Sequence, residues 1–288
     1  MKLYKTTQGN LLEQGGKFYR IDLPWDELIN RDDLHGWLET AAAMAKELPA
    51  GQGLAWLEKD ILAPIGTQEV WAAGVTYLRS RDARMEESKE SGAADFYDKV
   101  YEAERPELFF KSLPHRVAAP GKKVYIRRDS SWNVPEPELA LYINGNGHIQ
   151  GYTIGNDMSS RSIEGENPLY LPQAKMYEYS ASLGPCLYVP AKPIPPDTTI
   201  RMTITRSGKE CYSGSVEIGR MKRSFSELVS YLYREFDFAP GCFLMTGTCL
   251  VPPNDFTLQE DDRVEIQIDG IGELVNTIGY KPANRIPG

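Results

Sequence analysis

The stretch PEPELALYINGNGHIQGYTIGND (135–157) constrains this chain more than any other, because two apolar, β-prone runs flank Asn144-Gly145-Asn146-Gly147. Asn-Gly pairs supply the positive φ that a tight hairpin turn requires, so the runs read as antiparallel neighbours. With Gly145 and Asn146 as the central turn residues, Gly155 falls opposite Glu136 and Asp157 opposite Val134. Residues two apart in a strand share a face, so Glu136, Glu138 and Asp157 all project to one side. A loop one residue longer or shorter would reverse that parity.

Short β-like runs of the same texture recur from Glu69 onward: EVWAAGV (69–75), ELFF (107–110), KVYIR (123–127), TIRMTIT (199–205), CFLMT (242–246) and RVEIQI (263–268). Gly, Pro and Asn separate them, which predicts a mostly β body over 66–288. Residues 1–65 read as a small α/β module, with a strand near Lys17–Leu23 and a helix after Asp32 or Asp33. Leu34, Trp37, Leu38, Ala41, Ala42, Ala45 and Leu48 carry its apolar face, and PAGQG (49–53) ends it. Two segments interrupt the body. RSFSELVSYLYREF (223–236) predicts a packed helix capped by Ser224. The charged run 79–104 reads either as a solvated surface helix or as a mobile lid.

A formal charge of −8 gives no general attraction to nucleic acid or to anionic membranes. No apolar run approaches the roughly 18 residues of a membrane span. Four cysteines without CxxC spacing, and an N-terminus without the apolar core of a secretion signal, predict a reducing cytoplasm. Serine-hydrolase, P-loop and dinucleotide-binding motifs are absent, since NGNGHIQG fails the G-x-G-x-x-G spacing.

Three carboxylates on one face repel unless they share a cation or a proton. With only oxygen ligands and no neighbouring His or Cys, they favour Mg²⁺ or Mn²⁺ over zinc. The plain alternative is an E-x-E on a solvent-facing edge strand.

Taken together, GVTY (74–77), PELFFK (106–111), WNVPEPELALYI (132–143), GYTIGNDMSSRSIE (151–164), ENPLYLPQAKMY (166–177), LGP (183–185) and TGTCLVP (246–252) resemble the fumarylacetoacetate hydrolase superfamily. Within it, PELFFK and ENPLYLPQAKMY are most similar to the 2-keto-3-deoxy-D-arabinonate dehydratase branch. The resemblance implies an α+β, mostly β fold, a mixed β-roll or barrel with the site at its open end. It also implies a metal triad of Glu136, Glu138 and Asp157, a site lysine at Lys175, and a substrate carboxylate held near Gly247 and Thr248. A homodimer or homotetramer is the usual assembly.

One departure bears on the reaction. Hydrolytic members read G-x-N-Y-x-x-H, whereas here Ser80 stands where their histidine does. A serine is no base near neutral pH without its own activator, so dehydration is favoured over C–C hydrolysis. His35, His115 and His148 are read as structural, with His115 left as a possible replacement base.

The chemistry so implied is loss of water from a 2-keto-3-deoxy sugar acid, giving 2,5-dioxopentanoate from the D-arabinonate derivative through a metal-stabilised enolate. Lys175 is the candidate base, because a lysine desolvated near a metal loses basicity. Glu107 is the candidate acid, with Glu164 or Glu166 as substitutes. Lys111 and Arg161 either hold the substrate carboxylate or buttress the triad. Thr76 and Tyr77 are placed to touch the polyol tail. The alternative enzyme cleaves a 2,4-diketo acid or decarboxylates oxaloacetate, and a non-enzymatic alternative is a keto-acid sensor.

Overall fold

The computed structural model describes residues 1–49, 51–87 and 94–282. The chain opens with a meander of β1 (Lys2–Thr6), β2 (Gly9–Gln14) and β3 (Lys17–Ile21). Helices α1 (Trp25–Ile29), α2 (Leu34–Met44) and α3 (Gln52–Asp60) follow. Asp33 starts α2 by accepting the Gly36 N–H at 3.1 Å, and Leu34, Leu38 and Ala42 bury its apolar face. The helix stops at Met44, short of the expected PAGQG terminator, and Gly51 at φ +80° begins α3 instead.

Next come β4 (Glu69–Gly74), α4 (Leu78–Glu87), α5 (Ala94–Glu102) and β5 (Glu107–Ser112). The charged segment 79–104 thus carries two helices, and its residues 88–93 lie outside the described part. The middle of the chain contains β6 (Val117–Ala118), β7 (Lys123–Ile126), β8 (Asn133–Val134), β9 (Pro137–Ile143), β10 (Ile149–Asp157) and β11 (Ser159–Ser160). After α6 (Arg161–Glu166) and α7 (Leu171–Lys175) run β12 (Ala181–Tyr188), β13 (Thr199–Arg206) and β14 (Lys209–Glu217). The last elements are α8 (Phe225–Leu232), β15 (Cys242–Met245), β16 (Arg263–Ile268) and β17 (Gly272–Tyr280). Ser224 caps α8 by accepting the Glu227 N–H at 3.1 Å, and the helix ends at Leu232, four residues before the sequence pattern does.

The main sheet runs β3-β2-β1-β12-β10-β9-β15-β4-β5, with β6 attached to β12. A second sheet, β14-β13-β16-β17-β7, packs against one of its faces, and β8 pairs with β11. Residues 1–65 join the body directly, since β1 pairs with β12 through Lys2–Tyr188 and Leu3–Leu187. All seven residues of β9 are buried. Leu139, Leu141 and Ile143 face the second sheet's Ile204 and Val264, while Ala140 and Tyr142 face the layer of α1 and α2. Each large apolar side chain buried there contributes about 1.5–3 kcal/mol. Among the described residues no helix is long and apolar enough to cross a membrane.

The hairpin closes differently from expectation, yet delivers the same face. Asn144 donates to the His148 carbonyl at 3.0 Å, and Ile143 pairs with Ile149, so three residues turn the chain, with Gly147 at φ +79°. That loop is one residue longer than a two-residue turn and reverses the parity. A bulge between Ile149 and Gly151 restores it, placing Glu138 opposite Gly155 and Pro137 opposite Asn156. The bulged Gln150 is put to use: its side-chain oxygen accepts the Leu34 N–H at 3.0 Å, at the start of α2.

Candidate active site

Glu138 lies on β9, Glu136 immediately before it, and Asp157 at the end of β10. β9 is flanked by β10 and β15, so the E-x-E is central rather than on an edge. All three carboxylates are buried, and each offers an oxygen within 4.8 Å of the others. Buried, all-oxygen donors at that spacing fit a hard divalent ion such as Mg²⁺. Glu136, Glu138 and Asp157 are therefore the residues that could hold it.

Three cationic side chains neutralise the cluster. Lys175, at the end of α7, donates to Glu136 Oε2 at 2.6 Å, to Asp157 Oδ2 at 3.1 Å and to Ser159 Oγ at 2.5 Å. Arg161 Nη2 donates to Glu136 Oε1 at 2.7 Å. Lys111 Nζ sits 2.5 Å from Asp157 Oδ1 and donates to the carbonyls of Met158 and Lys175 at 3.0 and 2.5 Å. Its three protons are thereby directed at protein acceptors, so of the two roles open to Lys111 the geometry matches buttressing. Ser159, which no motif in the sequence announces, is part of the same network.

Burial and the neighbouring Asp157 and Glu136 push the Glu138 carboxyl well above the usual range. Burial also pushes Asp157 upward, but Lys111 and Lys175 outweigh it and hold that carboxyl below its ordinary value. Burial lowers Lys111, with Asp157 opposing the shift. The two carboxyls differ because Asp157 has both lysines beside it, whereas Glu138 faces two other carboxylates with Lys175 a smaller opposing influence.

β5 supplies the next wall. Glu107, Phe109 and Lys111 alternate onto one face. Phe109 lines the carboxylate pocket, and a Cβ added to Gly74 would lie 1.9 Å from Glu107 Oε2, so the Glu107 carboxylate rests directly on β4 at the pocket's edge. Beyond it opens a cavity of about 600 Å³ whose walls include Glu107, Leu108, Val100 and Leu169. Glu164, a substitute acid, is buried on α6, whereas Glu166 is exposed at that helix's end.

The turn after β4 departs from expectation. Thr76 donates to the Thr246 carbonyl at 2.8 Å and is fully buried, and Tyr77 is packed in the core. Neither lines the pocket; Val75 and Ser80 do. The cause is Val75 at φ +53°, a conformation costly for a β-branched residue, which reverses the direction of the following side chains. Ser80 Oγ donates to the Tyr77 carbonyl at 2.7 Å. No histidine lines the pocket; His115 and His148 are exposed, and His35 lies beside Glu39 on α2.

Gly247 and Thr248 divide their work. The Gly247 amide donates to Glu138 Oε2 at 2.6 Å, so it holds the triad. Thr248 lines the pocket with a buried hydroxyl that has no hydrogen-bond partner among the described residues.

The sequence signature described as fumarylacetoacetate (FAA) hydrolase C-terminal matches residues 70–279. The chain belongs to the fumarylacetoacetate hydrolase family. This family member is 48% identical over 225 residues to a probable 2-keto-3-deoxyxylonate dehydratase of Haloferax volcanii, covering 78% of this chain and 76% of the relative. It is 42% identical over 222 residues to the 2-dehydro-3-deoxy-D-arabinonate dehydratase of Saccharolobus solfataricus, covering 76% of this chain and 74% of that one. A solved structure of 2-keto-3-deoxy-D-arabinonate dehydratase complexed with magnesium and 2,5-dioxopentanoate superposes with a TM-score of 0.85 at 32% identity. The match covers 98% of this chain and 100% of the other.

Proposed function

We propose that this protein is a Mg²⁺-dependent dehydratase of 2-keto-3-deoxy pentonic acids, converting 2-dehydro-3-deoxy-D-arabinonate to 2,5-dioxopentanoate. The observation that carries the reading is a buried pocket that joins the acidic triad to Lys175 and has no imidazole in its wall. The dehydratases it resembles over three-quarters of its length support it. Glu136, Glu138 and Asp157 would hold Mg²⁺, which would supply the Lewis acid that stabilises an enolate of a 2-keto acid.

The chain's own residues do the rest. Arg161 and Lys111 hold Glu136 and Asp157 in place, and the Gly247 amide holds Glu138. In its neutral amine form Lys175 Nζ takes the C3 proton, and Glu107 hands a proton to the C4 hydroxyl, which leaves as water. In the resulting unsaturated acid a proton moves from C5 to C3, and the C4–C5 enol so formed gives up its hydroxyl proton as C4 gains one, which yields the dioxo product. The Thr248 hydroxyl binds the substrate's carboxylate or a tail hydroxyl. Bonded to Tyr77, Ser80 takes no part as a base, which separates this reading from C–C hydrolysis.

We read residues 1–65 as an accessory module on a catalytic body of 66–288, and the protein as a cytoplasmic homodimer or homotetramer. The test is incubation with the D-arabinonate and D-xylonate derived acids and Mg²⁺. Formation of 2,5-dioxopentanoate, lost on chelation, is the expected result. Pyruvate release from a 2,4-diketo acid or oxaloacetate, without dehydration, would overturn it.

A further inference from the structure

Arg223 lies outside the pocket, yet it is nearly buried, with a side chain only 7% exposed. Its Nη1 donates to the Glu104 carbonyl at 2.9 Å and to Glu227 Oε1 at 2.6 Å. Its Nη2 donates to the carbonyls of Val100 and Ala103 at 3.3 and 2.5 Å. The neighbouring Lys222 Nζ donates to the Tyr101 carbonyl at 2.6 Å and to Glu102 at 3.0 Å. Val100 and Tyr101 belong to the last turn of α5, whose carbonyls lack helical partners, Ala103 and Glu104 follow directly after it, and two cations complement the negative end of the helix dipole. A guanidinium fork suits the task because its donors point to several acceptors at once.

The same dipeptide also holds the turn after β4. The Lys222 amide donates to the Thr76 carbonyl at 2.9 Å, two residues after Gly74. Glu107 follows three residues after Glu104, and its carboxylate rests on Gly74. One point of the chain therefore ties down both the segment that delivers Glu107 and the turn that Glu107 leans against. Glu227, which holds Arg223 from behind, belongs to the capped first turn of α8, so the tie is anchored in a packed helix.

We propose that Arg223 is a positioning residue for Glu107: by binding the carbonyls of Val100, Ala103 and Glu104 it fixes the reach of the Glu107 carboxylate toward the triad. This rests on the dehydratase reading, in which Glu107 delivers the proton. A displacement of about 1 Å in a reacting group costs on the order of 100-fold in rate. R223M should therefore lower kcat by about that factor while the Mg²⁺ dissociation constant, measured by calorimetry, stays within about threefold. R223K keeps the charge without the fork and should recover part of the loss; it carries the same test should R223M not fold.

The decisive comparison is with E107Q. If Arg223 acts through Glu107, adding R223M to E107Q should lower the residual rate little further, whereas general damage would multiply the two losses. Wild-type kcat in both R223M and R223K, or an equal loss in the presence and absence of Glu107, overturns the proposal. A wild-type protein that dehydrates none of these acids overturns the dehydratase reading and this one with it; an active wild-type with an indifferent Arg223 overturns this one alone.

Discussion

Asp157 stands opposite Glu136: its amide donates to the Glu136 carbonyl at 2.9 Å, and the Lys175 ammonium bridges the two carboxylates. Two strands of a hairpin thus present their acids to a single cation, and the backbone pairing that aligns them is the pairing that holds the sheet. The site is consequently as rigid as the centre of the fold, which is what a metal site with little tolerance for misplacement requires.

Glu138→Gln keeps an oxygen for the Gly247 amide, so the fold should persist while the charge is lost. Partners outside the ligand shell are themselves worth 10–100-fold in metal affinity, so losing a ligand charge should weaken Mg²⁺ binding by at least about 100-fold. Activity should fall with it. Calorimetric titration with Mg²⁺ and a dehydration assay check both; unchanged affinity would remove Glu138 from the ligand set.

Lys175→Met removes the counter-charge from two buried carboxylates. Breaking one side of a buried ion pair costs about 3–5 kcal/mol. The metal-free variant should melt well below the wild type, and saturating Mg²⁺ should recover much of the difference because the ion replaces the lost charge. Turnover should not return. A variant that still dehydrates substrate would take the lysine out of proton transfer.

Where side chains alternate on a strand, the sequence is explicit. The runs at 199–205 and 263–268 appear as β13 and β16, and the hairpin puts all three acids on one side. Yet that face depends on two one-residue irregularities that cancel, the longer turn and the bulge at Gln150, and neither has a compositional signal. β12 contains Gly184-Pro185, and the solvent face of β14 is polar, so apolar periodicity does not reveal them. Thr76 and Tyr77 fail as pocket residues for a backbone reason: nothing in a Gly-Val-Thr sequence shows that the valine takes a left-handed φ. Ser159 and Arg223 are single polar residues whose roles exist only in three dimensions.

Gly247→Ala should damage the protein through its backbone, which touches the triad at Glu138. The residue has φ +99°, and an added Cβ would meet Thr76 Oγ1 at 2.0 Å and the Ala73 carbonyl at 3.0 Å. Backbone strain of this kind costs about 1–3 kcal/mol, and relief by moving the turn would draw the Gly247 amide away from Glu138. Lower melting temperature together with weaker Mg²⁺ binding is expected. A variant with wild-type stability and affinity would show that the turn relaxes freely.

Asp32 gives the fold a pH dependence remote from the metal site. It accepts from His148 Nδ1 at 2.7 Å, from Asn144 Nδ2 at 2.7 Å and from Asn146 Nδ2 at 2.9 Å, joining the start of α2 to the hairpin turn. These hydrogen bonds, the one from His148 foremost, hold its carboxyl below the ordinary value. A group whose folded pKa is depressed binds a proton more readily in the unfolded chain. Its contribution is therefore complete above the unfolded value of about 3.9 and disappears as pH falls through the folded value. Asp32→Ala should melt below the wild type at neutral pH, and the gap should close on acidification below about pH 4. Melting curves of both proteins from pH 7 to pH 3 read this directly, and a gap that stays constant across that range would mean that the carboxylate charge contributes nothing to holding the turn.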